Sequence, residues 1–64
     1  MVTTAQYGKR VTDGYRVGIL VYIDPDWLDP EVPPAERKRT PTAWVQPVGG
    51  GREWTARPAY LVPL

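Results

Sequence analysis

The distribution of proline constrains this chain more than any other feature of its sequence. Eight of the 64 residues are proline, and five of them lie in residues 24–41, DPDWLDPEVPPAERKRTP. Each proline lacks a backbone N–H donor and disfavours the helical conformation in the residue before it. At most a single helical turn fits this segment, over residues 34–38. We therefore predict that residues 24–41 form one long loop and contribute no strand.

Residues 15–23 have the strongest strand character in the chain. Val17, Ile19 and Val21 alternate along this segment, with Leu20 on the opposite face. The density of β-branched and aromatic side chains, without a helical period, predicts the most buried strand of the domain. Gly18 interrupts it and predicts a bulge or bend, which leaves open which face of residues 17–23 points inward.

The other strands are shorter and are separated by turn residues. Residues 9–12 end at Asp13-Gly14, a dipeptide typical of tight turns. Residues 42–46 and 52–56 predict a hairpin around Gly49–Gly51, in which at least one glycine should have a positive φ. Residues 59–62 predict a final short strand or 3₁₀ turn. Residues 1–6 are polar and irregular, and we expect a disordered lead-in.

Four to five short strands in so small a domain would leave exposed edges in an open sheet. Closing the sheet removes those edges. We therefore predict an all-β fold, a single domain over residues 1–64, built as a small barrel of four to five short antiparallel strands with one long Pro-rich loop. The expected core consists of Val11, Val17, Ile19, Val21, Ala43, Val45, Trp54, Ala56 and Leu61.

Two stretches of the chain resemble known proteins. Residues 8–13 (GKRVTD) and 16–21 (RVGILV) resemble the first hairpin of SH3-like barrels of the KOW and Tudor type. Residues 44–54 (WVQPVGGGREW) resemble a Val-x-Pro-x-Gly-Gly-Gly-x-Glu-Trp motif of small actinobacterial proteins. The resemblance implies an SH3-like barrel. It implies no activity, because that group of small proteins has none established, and residues 24–41 depart from both patterns.

The residue types argue against an enzyme. The chain has no histidine and no cysteine, which excludes disulfides, the usual zinc sites and a histidine base. Four acids, Asp24, Asp26, Asp29 and Glu31, crowd one segment, where they are best explained as turn residues. Gly49–Gly51 leads into a strand, which predicts a hairpin turn and not a phosphate cradle. We expect no enzymatic activity, no cofactor and no metal.

Aromatic residues give the stronger indication of a binding surface. The chain has three Trp and four Tyr, more than one small core holds. Trp54 is the core candidate, and Trp44 should point away from the core because it alternates with Val45. We predict an interaction module for a protein partner or a second copy of the chain. The predicted partner-binding residues are Trp27, Trp44, Tyr22 and Tyr15. A compatible alternative is that Trp27 folds back onto Trp44 and forms a small satellite core.

The alternative function is nucleic-acid binding. Small barrels bind nucleic acids with basic residues interleaved with stacking aromatics. The candidate basic residues are Arg37, Lys38, Arg39, Arg16 and Arg52. A net charge of +1 gives no support from bulk charge. No apolar run approaches the ~18 residues of a membrane span, and no signal-peptide pattern is present. We expect no membrane partner and a cytoplasmic protein.

Overall fold

The computed structural model describes all 64 residues, and its regular structure is almost entirely β. The five strands are β1 (Arg10–Thr12), β2 (Val17–Trp27), β3 (Thr40–Pro47), β4 (Trp54–Ala56) and β5 (Val62–Pro63). Three single-turn 3₁₀ helices span Thr4–Gln6, Pro34–Glu36 and Pro58–Tyr60. All paired strands are antiparallel, in the order β4-β3-β2-β1-β5. The predicted all-β, antiparallel fold is confirmed.

The predicted closure into a barrel is wrong, because β4 and β5 remain as the two edges of one open sheet. A closed barrel would have no edge strands, whereas this sheet has two short ones. β4 has three residues and β5 has two, so few backbone groups lie unpaired along them. Very short edge strands are a common way of avoiding edge-to-edge aggregation.

Strand β2 is longer than predicted. It continues through Pro25 to Trp27, so the prediction that residues 24–41 contribute no strand is wrong. β1 pairs with β2 only over Val17–Ile19, which leaves β3 as the only strand beside the distal half of β2. A proline there sacrifices no hydrogen bond to a second neighbouring strand. The loop proper comprises residues 28–39.

A β-bulge at Val21 changes which side chains of β2 face the core from Tyr22 onward. Leu20 pairs with Val45 and Tyr22 pairs with Trp44, so Val21 has no partner of its own. The extra residue reverses the alternation, and Leu20 and Tyr22 lie on opposite faces. Leu20 is fully buried, whereas Val21 is 45% exposed. The predicted bulge position was Gly18, which instead pairs regularly with Val11 and Pro47.

The core lies on one face of the sheet and includes residues from both ends of the chain. Its members are Val2, Val11, Leu20, Ala43, Val45, Trp54 and Leu61, with Ile23 and Ala56 packed against them. The expected burial of Trp54 is confirmed. The expected burial of Val17 and Val21 is wrong, because Gly18 and Leu20 occupy the inward positions of this part of β2 and Val21 is the unpaired residue of the bulge. Ile19 is only half-buried.

The N-terminal residues are part of the domain and do not form a disordered lead-in. Val2 is buried, and its N–H donates to the Pro58 carbonyl at 3.1 Å. Thr3 caps the helix Thr4–Gln6 in a reciprocal capping box with Gln6. Burial of Val2 supplies the apolar contact that a ragged terminus lacks, so this segment packs on the sheet.

Gly18 is required by close packing on the core face of β2. A β-carbon at this position would lie 2.5 Å from Val45 Cγ1, 2.6 Å from the Gln46 carbonyl oxygen and 2.7 Å from the Trp54 ring. The Trp54 ring therefore packs directly against the glycine backbone. The Arg16 guanidinium lies 4.3 Å from the centre of the same ring, an arrangement typical of a cation–π contact.

Candidate functional site

Four aromatic side chains form a continuous row, which we call the aromatic row: Tyr7, Tyr22, Trp44 and Trp27. Ring centres of Tyr7 and Tyr22 are 6.5 Å apart, and those of Tyr22 and Trp44 are 6.0 Å apart. Trp27 meets Trp44 edge to face, at 5.5 Å and an interplanar angle of 88°. Tyr22 is 51% exposed, and the two Trp side chains are half-buried. The row is thus ordered by its own contacts and still open to solvent.

Two bulges in β2 create this arrangement. The first, at Val21, turns Tyr22 to the face opposite the core, where it pairs with Trp44. The second shifts the register between Asp24 and Trp27 by one residue. Tyr22 and Trp27 are separated by an odd number of positions and would lie on opposite faces of a regular strand. The extra residue places them on the same face.

Tyr7 enters the row from outside β2 and is held by its hydroxyl group. The hydroxyl oxygen accepts a hydrogen bond from Ile23 N at 2.8 Å, and the group also lies 3.5 Å from the Ile23 carbonyl. The Gly8 N–H donates to the Leu20 carbonyl at 2.8 Å, which brings Tyr7 alongside β2. Tyr7 is not among the partner-binding residues predicted from the sequence. Its position depends on this pairing with β2, which no local pattern around residue 7 indicates.

Tyr15 is not part of the row. It lies in the β1–β2 turn, is 96% exposed and packs against no other aromatic ring. The turn is organised by Asp13, whose Oδ1 accepts hydrogen bonds from Arg16 N at 2.8 Å and Tyr15 N at 2.9 Å. These backbone donors, with the nearby Arg16 charge, lower the pKa of Asp13 below its usual value. Of the four predicted partner-binding residues, the structure brings together Trp27, Trp44 and Tyr22.

Two of the basic residues considered for nucleic-acid binding are engaged within the protein. Arg16 stacks on Trp54 and lies 3.8 Å from the Asp13 carboxylate. Arg37 donates to the Val32 carbonyl at 2.7 Å and to the Pro30 carbonyl at 3.0 Å, which holds the loop in shape. Lys38, Arg39 and Arg52 are exposed. The five residues therefore do not act as one basic patch.

A groove of about 290 Å³ opens beside Trp27, between the loop and the start of β3. Its walls carry charges of both signs, the acids Asp29 and Glu36 and the cations Arg37, Lys38 and Arg57. Thr42 lies at its base and is buried, with its hydroxyl donating to the Thr40 carbonyl at 3.1 Å. The groove extends the aromatic row at its Trp27 end with a polar surface that carries two acids and three cations.

Two of the four acids of residues 24–31, Asp24 and Asp29, have the turn role that the sequence indicates. Asp24 Oδ1 accepts from Asp26 N and Asp29 Oδ1 accepts from Glu31 N, both at 2.9 Å. No three carboxylates converge as metal ligands. None of the helices is long and apolar enough to span a membrane.

Comparison with known proteins adds no family to this description. No family model matches the chain, and neither does any curated protein sequence or solved structure.

Proposed function

We propose that this protein is a small, non-enzymatic interaction module that binds a segment of a protein partner along the aromatic row. The observation that carries the proposal is the continuity of the row, with four rings in successive contact and Tyr22 half exposed. Aromatic side chains are the residues most enriched at the centre of protein interfaces, because each buries a large area with little loss of conformational freedom. Because the contacts between its rings already order the aromatic row, the entropic cost of binding is lower.

The proposal includes an SH3-like arrangement of the strands. Three features support it: β5 pairs with β1, a single-turn helix at Pro58–Tyr60 precedes β5, and β2, β3 and β4 form a meander. In this arrangement the aromatic row runs along the exposed face of β2 and β3. A partner segment in extended conformation would lie along it.

Nucleic-acid binding is the second candidate, favoured by Lys38 and Arg57 in the groove next to Trp27. Stacking aromatics beside cations are the usual components of a single-strand site. The position of Asp24 argues against it, since this acid pairs with Thr42 between the two ends of the row. A carboxylate there repels a phosphate backbone, so we favour the protein partner.

The test is a selection of random 12-residue peptides on the immobilised protein, followed by titration of the enriched peptides. We expect peptides whose affinity falls by about tenfold for Tyr22→Ala. The affinity of these peptides for the unsubstituted protein should change little between ~0.05 and ~0.5 M salt. Tyr60→Ala is the control, because Tyr60 is also an exposed tyrosine but lies in the helix before β5.

Three outcomes decide the matter. Peptides that lose affinity with Tyr22→Ala and keep it with Tyr60→Ala support the proposal. A concentration-dependent dimer that Tyr22→Ala abolishes supports it with a second copy as the partner. The proposal is overturned if no peptide is enriched and no dimer forms, or if only oligonucleotides bind, with a steep dependence on salt.

A further inference from the structure

Asp24 is an acidic residue that lies between two aromatic residues on the face that carries the aromatic row. Along β2 it lies between Tyr22 and Trp27. Across the sheet, Tyr22 pairs with Trp44, Asp24 with Thr42, and Trp27 with Thr40. Strand alternation puts Asp24 on the same face as Tyr22, and the following bulge returns Trp27 to that face. One carboxylate is therefore flanked along its own strand by two aromatic residues and is half-buried.

This carboxylate has no cation of the protein beside it. The single ion pair in the molecule joins Arg16 to Asp13, in the turn between β1 and β2. Asp24 uses Oδ1 to accept the Asp26 N–H, and Oδ2 has no hydrogen-bond partner. The free Oδ2 can accept further hydrogen bonds, and a cationic donor supplied from outside would pair with the charge and use this acceptor.

We propose that Tyr22, Asp24 and Trp27 form a binding site for an arginine side chain of the partner. The inference rests on the proposed function and specifies the chemistry of the segment that binds. A guanidinium group is planar, stacks on aromatic faces and donates paired hydrogen bonds to a carboxylate. Tyr22 and Trp27 provide the aromatic faces, and Asp24 provides the acceptor.

The same chemistry discriminates against other ligands. One carboxylate without further oxygen ligands does not suit Ca²⁺ or Mg²⁺, which take about six or more. A phosphate would be repelled by Asp24. A lysine ammonium satisfies the charge, but it is a compact, strongly hydrated group that neither stacks nor donates in parallel pairs. Arginine is the side chain that uses every component of the site.

The experiment uses a minimal probe, the acetylated and amidated tripeptide Gly-Arg-Gly, titrated into the whole protein. Binding is followed by NMR through the indole N–H signals of Trp27 and Trp44. The citrulline tripeptide has nearly the same shape without the charge, and the lysine tripeptide has the charge without the planar fork. We expect saturable shifts with arginine, weaker binding with lysine, and none with citrulline.

Asp24→Asn tests the carboxylate without disturbing the fold, because the asparagine oxygen still accepts the Asp26 N–H. We expect it to weaken the arginine tripeptide by about fivefold. Glu53→Gln is the control, since Glu53 is an exposed acid just before β4, outside both the row and the groove. It removes the same charge and should weaken binding by less than about twofold.

The outcomes separate this inference from the proposed function. Equal binding of the arginine and citrulline tripeptides overturns the inference, as do equal effects of the two variants or the absence of any saturable shift. Equal binding of lysine overturns the choice of a guanidinium. In each case the peptide selection still decides whether the aromatic row binds proteins at all. Loss of arginine binding in Asp24→Asn alone supports the inference.

Discussion

Trp27 packs edge to face against Trp44, with ring centres 5.5 Å apart and planes at 88°. The contact joins the end of β2 to the middle of β3. Edge-to-face geometry places the positive edge of one ring on the negative face of the other, which adds stability beyond the area buried. It also fixes the point from which the loop of residues 28–39 departs. The loop is therefore anchored on its own sheet, as the satellite-core alternative requires.

Trp27→Ala should lower the stability of the domain by about 2 kcal/mol. This is less than the loss for a fully buried Trp, because Trp27 is half-buried. Urea unfolding followed by circular dichroism measures the change. Tyr15→Ala removes an aromatic ring that packs on nothing and should change stability by less than about 0.5 kcal/mol. Equal effects of the two substitutions would contradict the anchoring role of Trp27.

Gly18→Ala should destabilise the domain by at least about 2 kcal/mol, because the added methyl group meets atoms that have little freedom to move. The Gln46 carbonyl belongs to the adjacent strand, and Val45 and Trp54 belong to the core. Urea unfolding gives the loss of stability, and the indole N–H signal of Trp54 in the NMR spectrum should report the displacement of its ring. Gly14→Ala is the comparison. It meets no atom within 4 Å but has a φ of +94°, so it should show a loss without that displacement.

The three consecutive glycines confirm the expected backbone of the β3–β4 connection. Gly49, Gly50 and Gly51 all have positive φ, at 89°, 98° and 116°. Gly50→Val should therefore cost more than about 1 kcal/mol. D-alanine at the same position, introduced by chemical synthesis, should be tolerated, since a D residue prefers positive φ. If the D and L substitutions were equally destabilising, the backbone angle would not be the cause.

Local patterns predicted much of the fold but not the faces of β2. The turn at Asp13-Gly14, the hairpin around the glycines and the burial of Trp54 all follow from residues close in sequence. The inward position of Leu20 depends on its pairing with Val45 across the sheet, and the outward position of Tyr22 depends on the unpaired Val21. A one-residue shift of register reverses every side chain, and the local pattern of residues 17–23 is apolar on both faces.

The candidate site was also only partly predictable, because some of its contacts follow from residues close in sequence and others join distant segments. The sequence predicts that Trp44 faces away from the core and offers the contact of Trp27 with Trp44 as an alternative; both are observed. Tyr7 joins the row through a hydrogen bond to Ile23, which is distant in sequence. Pro25 suggested a loop, whereas the bulge beside it allows β2 to continue to Trp27. Each missed feature depends on a contact between segments.

The lowered pKa of Asp13 predicts how stability changes in acid. Hydrogen bonds from Arg16 N and Tyr15 N favour the charged carboxylate in the folded protein and hold its pKa below 3.8. The unfolded chain then binds the proton more readily than the folded protein. The contribution of the Asp13 carboxylate to stability is therefore present above the pKa of the unfolded chain and is lost as the pH falls through the pKa of the folded protein.

In Asp13→Asn the amide oxygen still accepts both hydrogen bonds but carries no charge. The difference in unfolding free energy between the two proteins should therefore be largest near pH 5 and shrink as the pH falls below 4. Urea unfolding across this range measures it, and a carbon-13 NMR titration of the Asp13 carboxyl reads the pKa directly. A carboxyl that titrates at or above its usual value, or a difference that does not vary with pH, would show that the turn does not stabilise the charged form.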